Sequence, residues 1–398
     1  MKVAVYSGVI PSTIFIENLL NALSENNIQV FIFGKKKSVI YIENSKFKFI
    51  YTPKNRIKKV FFVILQGLIF LVKSHKYFFE IYKYYNSISK KESGGLLNWL
   101  SKVLPVINNL PDIFHIQWAK SLPFWFFLKD IFGIKIIVSL RGAHINYSPL
   151  NDHYLKSSYM KLFPQVDKFH SVSDAIAIVA QSYGAKKQDI QTIYSALNFK
   201  EINIVKLKKT VDKSSFSFIS VGRSHWKKGY QYSISAFDKI NSLGHKATYT
   251  ICLSEDPSEE ILYQINDLKL DQKIKIITGY DQIEIYKKIK NSDCLILPSV
   301  EEGIANVVLE SMALGTLVIS SDCGGMTEVL QNNKNGLLFS SRNVNQLTDK
   351  MISAIKLKDS LKTQIISNAL KMSVDNHNLF SLGYKMKKLY QDTLNDSS

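Results

Sequence analysis

Two glutamates are the first residues of this 398-residue sequence whose type and spacing suggest a chemistry. Glu302 and Glu310 lie eight positions apart in PSVEEGIANVVLESMALG. On a continuous helix they would be separated by about 12 Å and by about 80° around the axis. Two carboxylates so placed can contact different parts of one long ligand. Because such pairs also arise by chance, the surrounding sequence has to decide what they mean.

The sequence around the glutamates predicts a strand, a loop, a helix and a second strand. Cys294–Leu297 is an apolar run followed by proline, which is typical of a short buried strand. A helix is predicted for Ala305–Leu314, ended by a glycine, and Leu317–Ser320 is the next strand. So short a crossover is typical of parallel strands, which places Glu302 between a strand carboxyl end and a helix amino end. Free amides there favour anionic oxygens such as those of a diphosphate.

A second strand-to-helix junction carries two cations. Phe216–Val221 is predicted as a strand, and GRSHWKKGYQYSISAF follows it. In that segment Arg223 and Lys228 precede a helix that begins near Gly229, an arrangement suited to a diphosphate. The alternative is a solvated charge cluster, and the glycines after the strand and before the helix count against it.

Length and composition indicate a folded protein of two or three domains. Apolar residues make up 46% of the sequence and charged residues 21%, as in globular proteins. Cys252, Cys294 and Cys323 form neither a disulfide framework nor a C-x-x-C pattern, so a reducing, cytosolic compartment is expected. The opening MKVAVYSGVIPS predicts a first β-strand rather than a signal peptide.

The positive charge is concentrated in the first half of the chain. Residues 1–200 hold 26 Lys and Arg against 11 Asp and Glu, or +15, and this leaves +3 of the total +18 for residues 201–398. A basic half favours an anionic partner, which could be nucleic acid, membrane lipid or a phosphorylated substrate.

The segment 54–103 combines lysines with apolar and aromatic residues. Its apolar run Val60–Val72 is too short to span a bilayer. Lys73, Lys76, Lys83 and Lys90 are predicted to fall near one helical stripe. Two interpretations remain open: an interfacial helix on anionic lipid, or a core helix followed by an amphipathic surface helix.

The frame of strand, Pro-Ser, Glu-Gly, helix, Ala-x-Gly, strand and Gly-Gly-x-x-Glu resembles the E-x7-E motif of retaining GT-B glycosyltransferases of family 4, of the exopolysaccharide and colanic-acid type. The resemblance covers the chain and is strong from Val221 to Gly336. It implies an α/β protein with two Rossmann-like domains that face one another across a cleft.

The resemblance also sets expected domain bounds. Residues 1–198 are expected to form an N-terminal acceptor-binding domain, and residues 209–374 a nucleotide-sugar-binding domain. Ser195–Lys208 is predicted as the linker. Residues 375–398 are expected to form a final helix that crosses back to the first domain.

A role for each candidate site residue is implied by the same family. Glu302 is implied to lie beside the transferred sugar as the catalytic residue, and Glu310 to hold the ribose hydroxyls. Arg223 and Lys228 are implied to bind the diphosphate. The other implied donor contacts are the nucleotide-base position and the backbone at the helix start: Tyr280, Gly303, Ile304, Ala305 and Asn306.

No metal and no other cofactor is expected. The sequence has no D-x-D motif, and two cations beside a helix amino end supply positive charge for a leaving diphosphate. Glu302 could act as a nucleophile, as a carboxylate does in retaining glycosidases. Front-face attack by the acceptor, with the leaving phosphate taking its proton, is the mechanism that the family implies.

The first domain departs from the family pattern at two loops. Gly8 is the only glycine where many members carry two, while Pro11-Ser12 with Phe15-Ile16 resembles transferases of colanic-acid-like pathways. After the predicted strand Lys135–Leu140, Arg141 stands at the usual His position and His144 at the usual Asp position. Either side chain could meet an anionic ligand, and the alternative is a loop histidine with an exposed arginine.

The activity implied is transfer of a sugar from a nucleotide-diphosphate sugar to a glycan or undecaprenyl-diphosphate-linked acceptor. The pathway implied is bacterial surface polysaccharide synthesis (capsule, exopolysaccharide or O-antigen). Such an enzyme is expected in the cytoplasm, peripheral on the anionic inner face of the membrane. Two alternatives are a GT-B nucleotide-sugar epimerase, which does not need a membrane-facing basic half, and a nucleic-acid-binding protein. The second lacks a recognised motif, so no nucleic-acid partner is expected.

Overall fold

The computed structural model describes residues 1–10, 13–26, 28–37, 46–88, 94–205 and 215–396. The chain divides into two compact units: unit 1 is Met1–Ile193 with Leu379–Ser398, and unit 2 is Tyr194–Asn378. Each unit is built on a parallel sheet with helices between its strands. The prediction of an α/β chain with two Rossmann-like domains is confirmed.

Unit 1 contains a seven-stranded parallel sheet of order β3-β2-β1-β4-β5-β6-β7. Its strands are β1 Lys2–Ile10, β2 Gln29–Lys36, β3 Phe47–Tyr51, β4 Ile113–Ile116, β5 Lys135–Leu140, β6 Lys168–Ser171 and β7 Ile190–Thr192. The strand order reverses between β1 and β4. In sheets of this kind ligands bind beyond the carboxyl ends of the strands at such a reversal.

The helices of unit 1 surround a core rich in aromatic side chains, in which Trp99, Phe114 and Phe127 are fully buried. These helices are Ile14–Ser24, Arg56–Lys73, Phe78–Ser87, Leu96–Ile107, Leu122–Trp125, Phe127–Phe132, Ala143–Asn146, Ser148–Asn151, His153–Leu162, Asp174–Ser182 and Leu379–Asn395. In the described parts of the chain, no helix is both long enough and apolar enough to cross a membrane.

Unit 2 contains a six-stranded parallel sheet of order β10-β9-β8-β11-β12-β13, which reverses between β8 and β11. Its strands are β8 Phe216–Gly222, β9 Ala247–Leu253, β10 Ile274–Ile277, β11 Cys294–Leu297, β12 Leu317–Ser321 and β13 Leu337–Phe339. Its helices are Phe199–Ile204, Tyr230–Ser242, Glu259–Asp267, Gln282–Asn291, Asn306–Leu314, Met326–Val329, Val344–Lys356 and Asp359–Asn376.

The segment after the first unit is not the linker that we predicted over Ser195–Lys208. Its described part contains the helix Phe199–Ile204, and Ile202 and Val205 are buried in the core of unit 2. Residues 206–214 lie outside the described part of the chain. The apolar side chains of this segment therefore begin unit 2, and the boundary falls after Ile193 rather than at residue 198.

The final helix begins at Leu379 rather than at residue 375. His377 ends the preceding helix because its carbonyl oxygen accepts a hydrogen bond from the Leu197 amide at 2.7 Å. Its ring Nδ1 lies 2.9 Å from the Ser195 carbonyl oxygen. The helix Leu379–Asn395 then packs on unit 1, where a Cβ atom at Gly383 would lie 2.5 Å from the carbonyl oxygen of Ala22.

Gly8 lies within strand β1 rather than in a loop, where we predicted it. Strand β1 continues to Ile10, and its register against β2 shifts between Tyr6 and Gly8. Gly8 has φ +80°, a backbone conformation that residues other than glycine rarely adopt. The Pro11-Ser12 motif lies outside the described residues.

The lysines at 73, 76, 83 and 90 do not share one helix. Buried Ser74 leaves helical geometry at φ −139°, a 3-10 turn follows at His75–Tyr77, and a new helix begins at Phe78. Lys90 lies outside the described residues. The first of these helices is not a core helix either, because among its residues Phe70 alone is buried.

Candidate active site

Two loops of unit 2 meet where its strand order reverses. One follows β8 and contains the 3-10 turn Trp226–Lys228; the other follows β11 and carries Glu302. The amide of Val300 donates to the carbonyl oxygen of Lys227 at 2.7 Å. Gly229, at φ +65°, allows this approach, since a Cβ atom there would overlap the Pro298 carbonyl oxygen.

Glu302 lies in a buried cluster of cations and hydroxyl groups. Its Oε1 is 2.7 Å from Lys228 Nζ and accepts a hydrogen bond from Ser299 Oγ at 3.0 Å. Its Oε2 is 3.8 Å from Lys227 Nζ, and the residue is 7% exposed. Burial by itself raises the pKa of Glu302, but the two ammonium groups and the hydrogen bonds lower it below its usual value. Glu302 is therefore an anion at neutral pH.

Glycines fix the position of the Glu302 backbone. Gly324 has φ +54°, and a Cβ atom there would overlap the Glu302 carbonyl oxygen. The same oxygen accepts a hydrogen bond from the Gly325 amide at 3.3 Å. At the end of β8, a Cβ atom on Gly222 would lie only 3.0 Å from Lys228 Cε. Because they have no Cβ atom, Gly324 leaves room for the Glu302 backbone and Gly222 leaves room for the Lys228 side chain.

The amino end of a helix adjoins this loop. The helix Asn306–Leu314, hereafter the Glu310 helix, has Ala305 as its N-cap residue, and no side chain caps it. Among the described residues, the Ala305 amide has the weak acceptor Met326 Sδ as its partner, at 3.4 Å, while Gly303 is buried and Ile304 is partly buried. Uncapped amides at a helix start attract anionic oxygens.

Glu310 is not part of the cluster around Glu302 and has polar partners of its own. It accepts hydrogen bonds from Gln282 Nε2 at 3.2 Å and from the Tyr286 hydroxyl at 3.5 Å. Both donors belong to the helix Gln282–Asn291, which begins with a capping box of Asp281 and Glu284. Burial raises the pKa of Glu310 to about 7, against the opposing effect of these hydrogen bonds.

The structure brings some of the predicted residues together and leaves others apart. Glu302 and Lys228 are in direct contact, whereas Glu310 has partners of its own. Arg223 directly follows β8 and is exposed. Tyr280 is partly buried against the core of unit 2, and burial raises its pKa.

Sequence reasoning missed four residues of these clusters. They are Lys227, Ser299, Gln282 and Tyr286. Both Lys227 and Ser299 were within reach of the sequence. Lys227 adjoins Lys228, and Ser299 lies three positions before Glu302 in the same loop. The contacts of Gln282 and Tyr286 with a residue more than twenty positions later leave no local pattern.

A second polar group lies in unit 1. Arg141 follows β5 and is partly buried, so the alternative of an exposed arginine is wrong. Its Nη2 donates to Gln117 Oε1 at 3.2 Å, and its Cζ lies 4.1 Å from the centre of the Phe15 ring. His144 packs on Trp118 with ring centres 5.0 Å apart. Burial, with the charge of nearby Lys120, lowers the pKa of His144 to about 4, so it is neutral at pH 7.

Comparisons with known proteins find similarity to glycosyltransferases. Residues 202–372 match the family model described as glycosyl transferases group 1. A relative from Campylobacter jejuni, N,N'-diacetylbacillosaminyl-diphospho-undecaprenol alpha-1,3-N-acetylgalactosaminyltransferase, is 26% identical over 68% of this chain and 74% of its own. The amylovoran biosynthesis glycosyltransferase AmsK of Erwinia amylovora is 26% identical over 53% of this chain and 52% of its own.

The chain matches three curated relatives over about half to three quarters of their own length. A crystal structure of a glycosyltransferase from Rickettsia africae has a TM-score of 0.71 with this chain at 16% identity. That likeness covers 100% of this chain and 99% of the other, and it shows that the fold is GT-B.

Proposed function

We propose, from the premise that residues 202–372 belong to the glycosyl transferases group 1 family, that the protein transfers a sugar from a nucleotide-diphosphate sugar with retention at the anomeric carbon. One observation carries the proposal. A buried, ionised Glu302 is held by Lys228 and Ser299 at the strand reversal of unit 2, beside an uncapped helix start. Carboxylate, cations and free amides are what a sugar joined to a diphosphate requires.

The cations and the helix start bind the diphosphate in this proposal. Lys228 and Arg223, with the amides of residues 303–306, stabilise the negative charge that grows as the diphosphate leaves. Because protein groups supply this charge, no metal is needed for the step. Glu302 contacts the sugar and stabilises positive charge at its anomeric carbon during front-face attack, and the leaving phosphate takes the acceptor proton.

Glu310 and Tyr280 hold the nucleoside of the donor. Glu310 is buried with two hydrogen-bond donors, and its remaining acceptor capacity suits ribose hydroxyl groups. Tyr280 follows Gly279, which has φ +71°, and offers a ring at the base position of the family.

The acceptor we propose is a glycan or lipid-linked glycan of a bacterial surface polysaccharide, bound by unit 1. The printed names of the two relatives support this, since one contains a diphospho-undecaprenol acceptor and the other amylovoran biosynthesis. An acceptor of that kind resides at the cytoplasmic face of a membrane. We therefore propose that the protein is cytoplasmic and binds this face peripherally.

An exposed apolar face on unit 1 supports the membrane proposal. The helix Arg56–Lys73 exposes apolar side chains at spacings of three and four residues: Ile57, Phe61, Ile64, Leu65, Leu68, Leu71 and Val72. This set is hereafter the apolar face. It borders a groove of about 320 Å³ lined by Phe70, Leu71, Phe78, Tyr82 and Trp99 among others. Large contiguous apolar patches mark protein or membrane contacts.

Replacing Glu302 tests the proposed activity. Glu302→Gln keeps the shape of the residue but removes its charge, so turnover should fall at least about 100-fold with the fold retained. Glu301→Gln is the matched control, because Glu301 is the neighbouring carboxylate and lies 3.7 Å from Lys227 Nζ. Turnover measured with purified variants should change far less for Glu301→Gln.

Product NMR completes the test. The transferred sugar should keep the anomeric configuration it has in the donor, and an inverted product would remove the retaining mechanism. Near-normal turnover of Glu302→Gln would exclude Glu302 as the catalytic residue.

A further inference from the structure

Unsatisfied hydrogen-bond donors gather at one point of unit 1. The Nε of Arg141 and the Nε2 of Gln117 are both buried, and neither has an acceptor among the described residues. The two side chains touch, because Arg141 Nη2 donates to Gln117 Oε1 at 3.2 Å. Buried polar groups are normally hydrogen-bonded, so two orphan donors on adjoining side chains require an explanation.

The guanidinium group of Arg141 has no acidic partner in the described chain. Its contacts are the neutral oxygen of Gln117 and the face of the Phe15 ring. Burial without a counter-ion lowers the pKa of Arg141 to about 9. A buried cation left without a partner is costly, and a bound anion would remove that cost.

A buried polar chain lies next to Gln117. Its Oε1 lies 3.5 Å from Ser139 Oγ, and Ser139 Oγ lies 2.9 Å from a ring nitrogen of His115 and 2.9 Å from one of His170. The hydroxyl of Tyr390 is 2.8 Å from the other ring nitrogen of His115. Because Arg141 Nη2 donates to Oε1, the amide keeps its oxygen toward the guanidinium group and its NH2 group is left for another acceptor.

These groups lie at the carboxyl edge of the unit 1 sheet, where its strand order reverses. Gln117 and Trp118 follow β4, Arg141 follows β5, and Phe15 belongs to the helix after β1. Phe15 and Trp118 form an aromatic wall, with ring centres 5.6 Å apart. An aromatic wall beside a cation excludes water and strengthens its attraction for an anion.

We propose that Arg141 and Gln117 bind an anionic group, a carboxylate or a phosphate, on the substrate held by unit 1. This rests on the proposed function and names a chemical class for its acceptor side. The guanidinium fork matches the paired oxygens of either group, and the Gln117 amide adds a third donor. The carboxylate of an acidic sugar and the phosphate of a lipid-linked acceptor are the two sources of this chemistry.

Arginine NMR on the full chain provides the test. The sequence has four arginines, Arg56, Arg141, Arg223 and Arg342, so 15N-arginine labelling gives four Nε–H signals that single Arg→Lys variants assign. D-glucuronate, inorganic phosphate and D-glucose are titrated separately at equal ionic strength. The Arg141 signal should shift in a saturable way with glucuronate or with phosphate, and not with glucose.

The arms distinguish the sources and the sites. A response to glucuronate alone identifies a carboxylate, and one to phosphate alone identifies a phosphate group. The Gln117→Met variant should lower the affinity for the responding anion at least about threefold, since one amide donor is lost. Arg223 in unit 2 reports donor binding, so its response to a nucleoside diphosphate tests the proposed function separately.

Three results would overturn the inference. They are an Arg141 signal unmoved by both anions, an equal response to glucose, and a shift no larger than that of Arg56 outside the site. Variants of Arg56, Arg223 and Arg342 assign the Arg141 signal by elimination, so the conclusion does not depend on whether an Arg141 variant folds.

Discussion

Lys228 serves two anions in the proposed mechanism. Its ammonium lies against Glu302, and the pair of lysines at 227 and 228 faces the pair of glutamates at 301 and 302. Four formal charges cancel, so the excess positive charge for a diphosphate comes from exposed Arg223 and from the helix start. Binding of the diphosphate and the charge state of Glu302 are therefore coupled through one ammonium group.

Removing a cationic side chain should weaken binding of the diphosphate and not binding of the bare nucleoside. Lys228→Ala and Arg223→Ala should each cost about 1.5–3 kcal/mol of nucleoside-diphosphate binding, the value of a hydrogen bond to a charged group. Calorimetric titration measures this, with the bare nucleoside as the matched ligand. Equal losses for nucleoside and diphosphate would place these cations away from the phosphates.

Glu310 should oppose stability at high pH. Its pKa in the folded protein is about 7, above the ordinary value of 4.5, so the folded state holds the proton more tightly. The contribution of Glu310 to stability is then full below pH 4.5 and is lost as pH rises to about 7. Glu310→Gln should raise the free energy of unfolding at pH 8 by about 1–3 kcal/mol and change it little at pH 4.

Urea unfolding at the two pH values checks this, with exposed Glu260→Gln as the control. A gain of the same size at both pH values would contradict the assigned burial effect. Glu310→Gln should also weaken nucleotide binding, because the variant lacks the carboxylate that accepts hydrogen bonds from the ribose hydroxyl groups.

The candidate site was partly within reach of the sequence. Glu302, Glu310, Arg223 and Lys228 stand in motifs that local spacing makes visible. Arg141 was visible too, but its aromatic partner Phe15 was not, because they are 126 positions apart and only the sheet joins their loops. The pKa of Glu310 was equally out of reach, since it depends on a neighbouring helix.

At the scale of elements, the apolar runs located the strands well. Two predicted strands, Lys135–Leu140 and Cys294–Leu297, have the bounds found in the structure. The three-residue strand β13 was missed because so short a run has no period. The break at His377 was missed because a hydrogen bond to Leu197, distant in sequence, decides it.

The C-terminal helix should stabilise unit 1 through one buried hydroxyl. Tyr390 is fully buried and its hydroxyl lies 2.8 Å from His115 Nδ1. Tyr390→Phe leaves that nitrogen without a partner and should lower the free energy of unfolding by about 1–2 kcal/mol. Exposed Tyr384 on the same helix gives the matched control, Tyr384→Phe. Equal denaturation midpoints for the two variants would mean that the buried bond contributes nothing.

For the whole molecule, the proposal of membrane binding rests on the unequal charge and on the apolar face. The protein should sediment with anionic liposomes at low salt and stay in solution with neutral ones. Each lysine near such a surface contributes about 1 kcal/mol, and screening within about 10 Å at 0.1 M salt should release much of the protein. Replacing Lys73, Lys76 and Lys83, together with Lys90, by Gln should reduce binding and spare activity on a short soluble acceptor.

The apolar face can be tested against a matched surface. Phe61→Ser with Leu65→Ser and Leu68→Ser should abolish most liposome binding. Leu262→Ser with Tyr263→Ser, exposed apolar residues of unit 2, should leave it unchanged. If the protein does not bind anionic liposomes at low salt, the apolar face is not a membrane contact.

The return of the last helix to unit 1 governs the order in which a growing chain can fold. In the sequence, unit 2 lies between the two segments that make up unit 1. The helix Leu379–Asn395 follows unit 2 in the chain and packs on the helix Ile14–Ser24 of unit 1. A ribosome therefore releases all of unit 2 before His115 and the first helix can meet their last partner. During synthesis, unit 2 is therefore complete before unit 1. Until the helix Leu379–Asn395 is made, unit 1 exposes the apolar surface on which that helix packs.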